Sequence, residues 1–215
     1  MTNIWFISDT HFNHDNILTF KDKDDKFIRP GFKNINDMNE TIIQNWNKTV
    51  APNDKIYHLG DVSFRNPDAM HSVLSRLNGR KRLIMGNHDT MDIMHYAKHF
   101  EKIGSWRTFK GIASHPFVAC HYPLHTDSFN YRGVGYCVHG HIHERVMKDP
   151  NFINVCVEKT NYTPVHIDEL ELEELLEDEL ELEELLEDEL ELEELLEDEL
   201  LDDIVTGKQI GRAHV

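Results

Sequence analysis

The sequence predicts an α/β sandwich, two packed sheets with helices outside, and three observations predict it. Short apolar runs alternate with helix-patterned segments through about residue 100. Short β-like runs then dominate to residue 157, and lone acids and histidines recur where the runs end.

Ile4-Trp5-Phe6-Ile7 reads as a buried strand that gives way to Ser8-Asp9-Thr10-His11. Ligands at strand ends are a habit of α/β sheets. Residues 21–33 alternate Lys and Asp before Arg29-Pro30-Gly31, which makes them a polar loop beside that strand end. Asn36 is placed to cap a helix running to about Lys48, with Met38, Ile42, Ile43 and Trp46 on its apolar face. After the Pro52-Asn53-Asp54 turn, Lys55 to Leu59 is a second strand, ended by Gly60-Asp61 as Asp9 ends the first. Asn66-Pro67 has the chemistry of a helix start, Val73, Leu74 and Leu77 give a buried stripe, and Asn78-Gly79 stops it. Arg82 to Met85 is a third strand, delivering Gly86-Asn87-His88-Asp89. Residues 91–100 carry Ile93, Met94, Ala97 and Phe100 at helical spacing. The runs Trp106 to Phe109, Ile112-Ala113, Phe117 to Cys120, Gly135 to Val138 and Phe152 to Val157 supply a second sheet.

Charge separates the chain into parts. The formal net charge is −17, but residues 169–203 hold 21 of the 39 acids and no base. That leaves 18 acids against 20 Lys and Arg in residues 1–168, a near-neutral domain followed by an acidic tail. Within the tail, Glu-Leu-Glu-Leu-Glu-Glu-Leu-Leu-Glu-Asp occurs three times without change, from positions 169, 179 and 189. Ten residues advance a helix by about 1000°, so each copy's leucines rotate by about 80° from the last and no apolar seam persists. A coiled coil is excluded, and a solvated helical or disordered extension is expected, without a dedicated partner. Residues 204–215 are expected to be a non-native end, because Gln209 to Val215 reproduce the translation of a common sequencing adapter. Cys120, Cys137 and Cys156 lack Cys-x-x-Cys spacing and sit in apolar runs, as small buried thiols of a reducing cytoplasm do. No long apolar run is present, so no membrane association is expected.

The chemistry-bearing residues follow one order: Asp9 and His11, Asp61, Asn87, His121, then His141 and His143. Hard divalent cations near phosphate take carboxylate, amide oxygen and imidazole ligands, and two cations about 3.5–4 Å apart need one bridging ligand. Asp9 and His11 lie two apart, as do His141 and His143, which brings each pair to one side of an extended segment. Asp61, alone after its strand, is the natural bridge, and Asn87 and His121 can complete a second ion. His58, His95, His99, His115 and His139 are read as structural. His14, Asn16, Arg29 and Arg132 lie in loops near the ligands and are candidate substrate contacts, with Tyr122 and Tyr131 weaker.

These segments resemble the calcineurin-like metallophosphoesterases, whose pattern runs D-x-H, G-D, G-N-H-D/E, H, G-H-x-H. The small capless phage and bacterial members look nearest. Asp9-Thr10-His11-Phe12, Asn45-Trp46-Asn47, and Asn154-Val155 through Tyr162-Thr163-Pro164 also resemble that subgroup. The resemblance implies a four-layer α/β/β/α sandwich of two mixed sheets, and two divalent ions, Mn first and Fe, Zn or Ni otherwise. It implies one ion on Asp9, His11, Asp61 and His143, and the other on Asp61, Asn87, His121 and His141. His88 would contact the phosphate and protonate the leaving oxygen, Asp89 would orient the His88 ring, and a metal-bridging hydroxide would attack. The activity implied is hydrolysis of a small phosphomonoester or phosphodiester. A nuclease acting on DNA or RNA, or a non-catalytic scaffold using the acidic tail, are the alternatives.

Overall fold

Lys55–His58 (β2) takes the centre of the first sheet because Ile56, Tyr57 and His58 are buried, as a strand covered on both sides requires. The computed structural model describes residues 2–64, 66–129 and 133–170. Ile4–Ile7 (β1), Arg80–Ile84 (β3) and Lys102–Gly104 (β4) lie parallel with β2, and Val165–His166 (β9) closes the far edge antiparallel to β1. The order across this sheet is β4-β3-β2-β1-β9. The second sheet runs β5-β6-β7-β8, from Trp106–Phe109 (β5), Phe117–Cys120 (β6), Tyr136–His139 (β7) and Phe152–Asn154 (β8). Only the β5 and β6 pair is antiparallel there, so both sheets are mixed. The expected α/β sandwich of two mixed sheets is the fold.

Three apolar layers hold it. Ile7, Ile56 and Leu83 meet the inner face of Ile35–Thr49 (α1), where Met38, Ile42 and Trp46 are fully buried. Phe6, Tyr57, Phe109, Phe117 and Val138 fill the space between the sheets, joined there by Ile167 and Leu170. The outer face of the second sheet packs Val118 and Cys137 against Phe129 and Val134. Among the described residues that last cover is a loop with one short 3-10 turn, Thr126–Ser128, instead of a long helix.

Several local expectations are corrected. The α1 cap is Asn34, whose side chain accepts from the Asp37 N–H, so the helix begins before Asn36. Pro67–Leu74 (α2) does start on Asn66, which accepts from Ala69 N–H. Residues 91–100 yield only Ile93–Tyr96 (α3), because Ile93 and Met94 face solvent while Tyr96 and Phe100 carry the burial. Ile112-Ala113 is a bend, and β4 and β9 are strands too short to stand out as apolar runs. Glu169 and Leu170, the first residues of the acidic repeat, lie within the described body, and the rest of the tail and the 204–215 end lie outside the described residues. No helix among the described residues is long and apolar enough to cross a membrane.

Candidate metal centre

The C-terminal ends of β1, β2, β3, β6 and β7 point to one edge of the sandwich, and each is followed at once by one of the ligand segments. Convergence is thus a product of parallel topology. The backbone at Asp9-x-His11 and His141-x-His143 is not the extended one that their two-residue spacing predicts. Asp9, His11, Asp61, His141 and His143 all have left-handed backbone, with φ of 56°, 47°, 57°, 70° and 54°. Non-glycine residues occupy that region only where their surroundings over-determine it, which is common at functional sites. Close backbone approach reinforces this at two glycines. A Cβ on Gly86 would overlap Asp61 Oδ1, and one on Gly140 would overlap Ser8 Oγ and Asp9 Oδ2.

Each carboxylate divides its two oxygens. Asp9 Oδ2 accepts from Ser8 Oγ–H (2.6 Å), the His141 N–H (2.9 Å) and Cys156 Sγ–H (3.2 Å). Asp9 Oδ1 is buried with no hydrogen-bond partner and faces His11 Nε2 at 3.6 Å and His143 Nε2 at 3.9 Å. Asp61 Oδ1 accepts from the His88 N–H at 2.8 Å. Asp61 Oδ2 lies between two imidazoles, 3.7 Å from His11 Nε2 and 3.6 Å from His121 Nε2. Such separations are too long for hydrogen bonds, yet two atoms each about 2.1 Å from one cation lie within about 4.2 Å of each other.

The imidazoles are turned to match. His121 Nδ1 faces the Leu59 carbonyl at 2.7 Å, so Nδ1 carries the proton and Nε2 offers its lone pair toward Asn87 Oδ1, 2.9 Å away. His143 Nδ1 donates to Glu158 Oε1 at 2.8 Å, leaving Nε2 for the centre. His11 has no partner at either ring nitrogen. Buried lone pairs meeting without a donor are the environment a cation satisfies. Two groups gather closely, Asp9 with His11 and His143, and Asp9 with Asp61 and His121. The His141 ring stands edge-on to His121, centroids 5.1 Å apart, and edge-on to Tyr122 at 4.6 Å.

Protonation follows the same pattern. Burial opposes ionisation of Asp9, but His11, His121 and His143 hold it well below the usual carboxylate range. Burial, reinforced by the Asp9 charge, pushes Asp61 up to about 6, and burial pulls His11 down to about 4. Burial also lowers His141, while Glu158 outweighs burial at His143 and raises it.

Three expected roles differ. Arg29 is no substrate contact: it is buried, donates to the Thr10 and Asp9 carbonyls, and pairs through Nε with Glu158 Oε1 at 2.7 Å. It braces the Asp9 loop from below. Asp89 accepts from the backbone N–H groups of Asp61 (2.9 Å), Val62 (2.9 Å) and Gly86 (2.8 Å), so its carboxylate ties two ligand loops together instead of orienting the His88 ring. Asn16 is exposed on the 3-10 turn Asp15–Thr19, with no contact to the ligands among the described residues. His14 does lie beside the cluster, stacked on Phe64 with centroids 3.7 Å apart and 5.5 Å from the His11 ring. Asn87 and His88 are exposed above the buried ligands, His88 5.7 Å from the His11 ring. Arg132 and Tyr131 lie outside the described residues.

Glu158 was missed, although Val155-Cys156-Val157-Glu158 repeats the pattern of an apolar run ending in an acid seen at Asp9 and Asp61. His58 was read as strand packing and does more. Its Nδ1 accepts from the Gly60 N–H at 3.1 Å and its Nε2 meets Thr10 Oγ1 at 2.9 Å, linking the first two ligand loops.

The uncharacterized protein MJ1445 of Methanocaldococcus jannaschii is 34% identical over 177 residues, covering 78% of this chain and 89% of its own. The Gene 66 protein of Mycobacterium phage L5 is 26% identical over 137 residues, 62% of this chain and 61% of its length. The crystal structure of a protein of unknown function, AQ665 from Aquifex aeolicus, superposes with a TM-score of 0.62 at 26% identity, covering 77% of this chain and 96% of that one. The model of the calcineurin-like phosphoesterases matches residues 2–207, and the chain belongs to that family.

Proposed function

We propose that this protein is a dinuclear metal-dependent phosphoesterase that hydrolyses phosphomonoesters or phosphodiesters at the Asp9–His143 cluster. The division of labour within Asp9 and Asp61 carries the reading: one oxygen of each is held by donors, and the other is turned, with three imidazole Nε2 atoms, to a shared space. Asp9, His11, Asp61 and His143 would hold one divalent ion, and Asp61, Asn87, His121 and His141 the other. Bound there, the ions would acidify an attacking water and neutralise phosphoryl charge. Mn is the first ion to test, ahead of Fe, Zn and Ni.

The chain's own residues do the rest. His88 stands exposed beside the cluster with its backbone N–H fixed on Asp61, and from there its ring would meet a phosphoryl oxygen and protonate the departing alkoxide. Asp89 keeps the His88 turn and the Asp61 turn in register through the backbone. Glu158 and Arg29 fix the His143 ring and the Asp9 loop.

Mn-loaded protein should hydrolyse bis-p-nitrophenyl phosphate and the chelated protein should not. His88→Asn should lower kcat by roughly 10²–10⁴-fold with metal content unchanged. Wild type that holds two ions and cleaves no phosphate ester across pH 5 to 9 would sink the reading.

A further inference from the structure

Trp106 is 59% exposed, an unusual position for an indole at the start of β5, and three cavities are lined by it. One, of about 350 Å³, reaches from Trp106 past Tyr122 and Leu124 to Gly86 and the ligand His121, so it opens beside the metal centre. Tyr122 is itself 45% exposed and stands edge-on to His141. A second, of about 170 Å³, lies across Trp106 and is lined by Tyr57, Arg82, Lys102 and Arg107.

The second cavity is a cationic one. Arg82 donates through Nη1 to the Tyr57 hydroxyl at 2.7 Å, and its Nε is buried without a partner. The Arg107 guanidinium lies over the Tyr57 ring, 5.7 Å from its centroid. Glu101 answers this charge, taking Arg80 at 2.9 Å and lying 4.0 Å from Arg82. Glu101 thus faces Arg80 and Arg82, while Lys102 and Arg107 line the same cavity as Arg82. In a domain whose sequence is near neutral, this is a local concentration of positive charge.

We propose that Trp106 and its two flanking cavities form a subsite for a single-stranded nucleic acid. One phosphodiester sits at the metal centre, the adjoining base stacks on Trp106 beside Tyr122, and the next phosphate meets Arg82, Lys102 and Arg107. This deepens the phosphoesterase reading and rests on it for the position of the scissile group. The order anion site, aromatic surface, anion site matches the alternation of phosphate and base along a strand. Stacking tolerates any base because every base has a π face, and it requires that the base be unpaired. A duplex keeps its bases inside and cannot cover the indole.

The test uses the full chain, Mn-loaded, in the His88→Asn background so that bound strands persist. Affinity is read by fluorescence anisotropy with hexathymidylate, an abasic hexamer of equal charge, and a six-pair duplex. Hexathymidylate should bind best and quench tryptophan emission, and adding Trp106→Ala should weaken it about tenfold or more while leaving the abasic strand unchanged. Trp106→Phe, which keeps a ring, should recover part of the loss. Arg107→Gln should lower the slope of log affinity against log salt by about one. Equal affinity for the abasic strand or the duplex, or an unchanged affinity in Trp106→Ala, overturns the subsite. Should Trp106→Ala not fold, an unchanged salt slope in Arg107→Gln together with full loss in Trp106→Phe overturns it as well. Failure of the phosphoesterase reading shows separately, as wild type without turnover of bis-p-nitrophenyl phosphate.

Discussion

Glu158 is joined to the candidate metal centre by its hydrogen bond to His143, and that bond decides which nitrogen of His143 faces Asp9. Partners of this kind tune ligand basicity, and their loss lowers metal affinity by roughly 10–100-fold. Glu158→Gln should therefore weaken Mn binding by that factor in calorimetry, with the far-ultraviolet spectrum unchanged; undiminished affinity would remove Glu158 from the positioning role. His58 carries a pH prediction. Burial holds its pKa down at about 3 against 6.5 for an unfolded imidazole, so as pH falls the unfolded chain takes up the proton first. The stabilisation is complete above pH 6.5 and declines from there to pH 3, by up to about 1.4 kcal/mol for each pH unit. In metal-free protein the unfolding midpoint should drop between pH 7 and pH 5, and His58→Gln should flatten part of that drop. A slope identical in the variant would assign it to other groups. The ligand types were legible in sequence because Asp, Asn and His recur at strand ends. The roles of Arg29 and Asp89 are not legible that way, because nothing in the sequence shows that the Arg29 guanidinium is taken up by two carbonyls and Glu158, or the Asp89 carboxylate by three backbone N–H groups.

Helix α1 shows why element boundaries are harder to read than element identity. Asn34 and Asn36 both precede the apolar stripe, and either could cap, but Asn34 alone has the extended backbone and the Asp37 N–H within reach. Asn34→Ala should lower stability by about 1 kcal/mol, and Asn36→Ala by much less; equal losses in chemical denaturation would move the helix start. The segment after Asp89 teaches the opposite lesson. Its helical spacing is real, but one turn forms, because Ile93 and Met94 find no surface to cover and Tyr96 and Phe100 supply the anchoring. Periodicity reports what a helix would bury, and the neighbouring sheet decides whether there is anything to bury it against. Strands β4 and β9 escaped notice for a related reason: three and two residues leave no period to detect.

At the scale of the whole molecule, the charge boundary in the sequence is not a boundary of the folded body. Leu170 is buried between the sheets and Glu169 accepts from the His166 N–H, so the first two residues of the acidic repeat belong to that body. A chain ending at residue 168 should be less stable than one ending at residue 170 by roughly 2–5 kcal/mol, the range for an emptied leucine site. Equal melting of the two would mean that Leu170 contributes nothing to the core. The pairing of β1 with β9 has a consequence in time. Trp5 pairs with His166, and Asp9 receives hydrogen bonds from His141 and Cys156, so β1 completes its contacts only after β9 has been made. At about 5–20 residues per second, roughly 7–30 seconds of synthesis separate Asp9 from Glu158. Throughout that interval the growing polypeptide carries half of the candidate ligand set, and the full set is assembled only once Glu158 has been made.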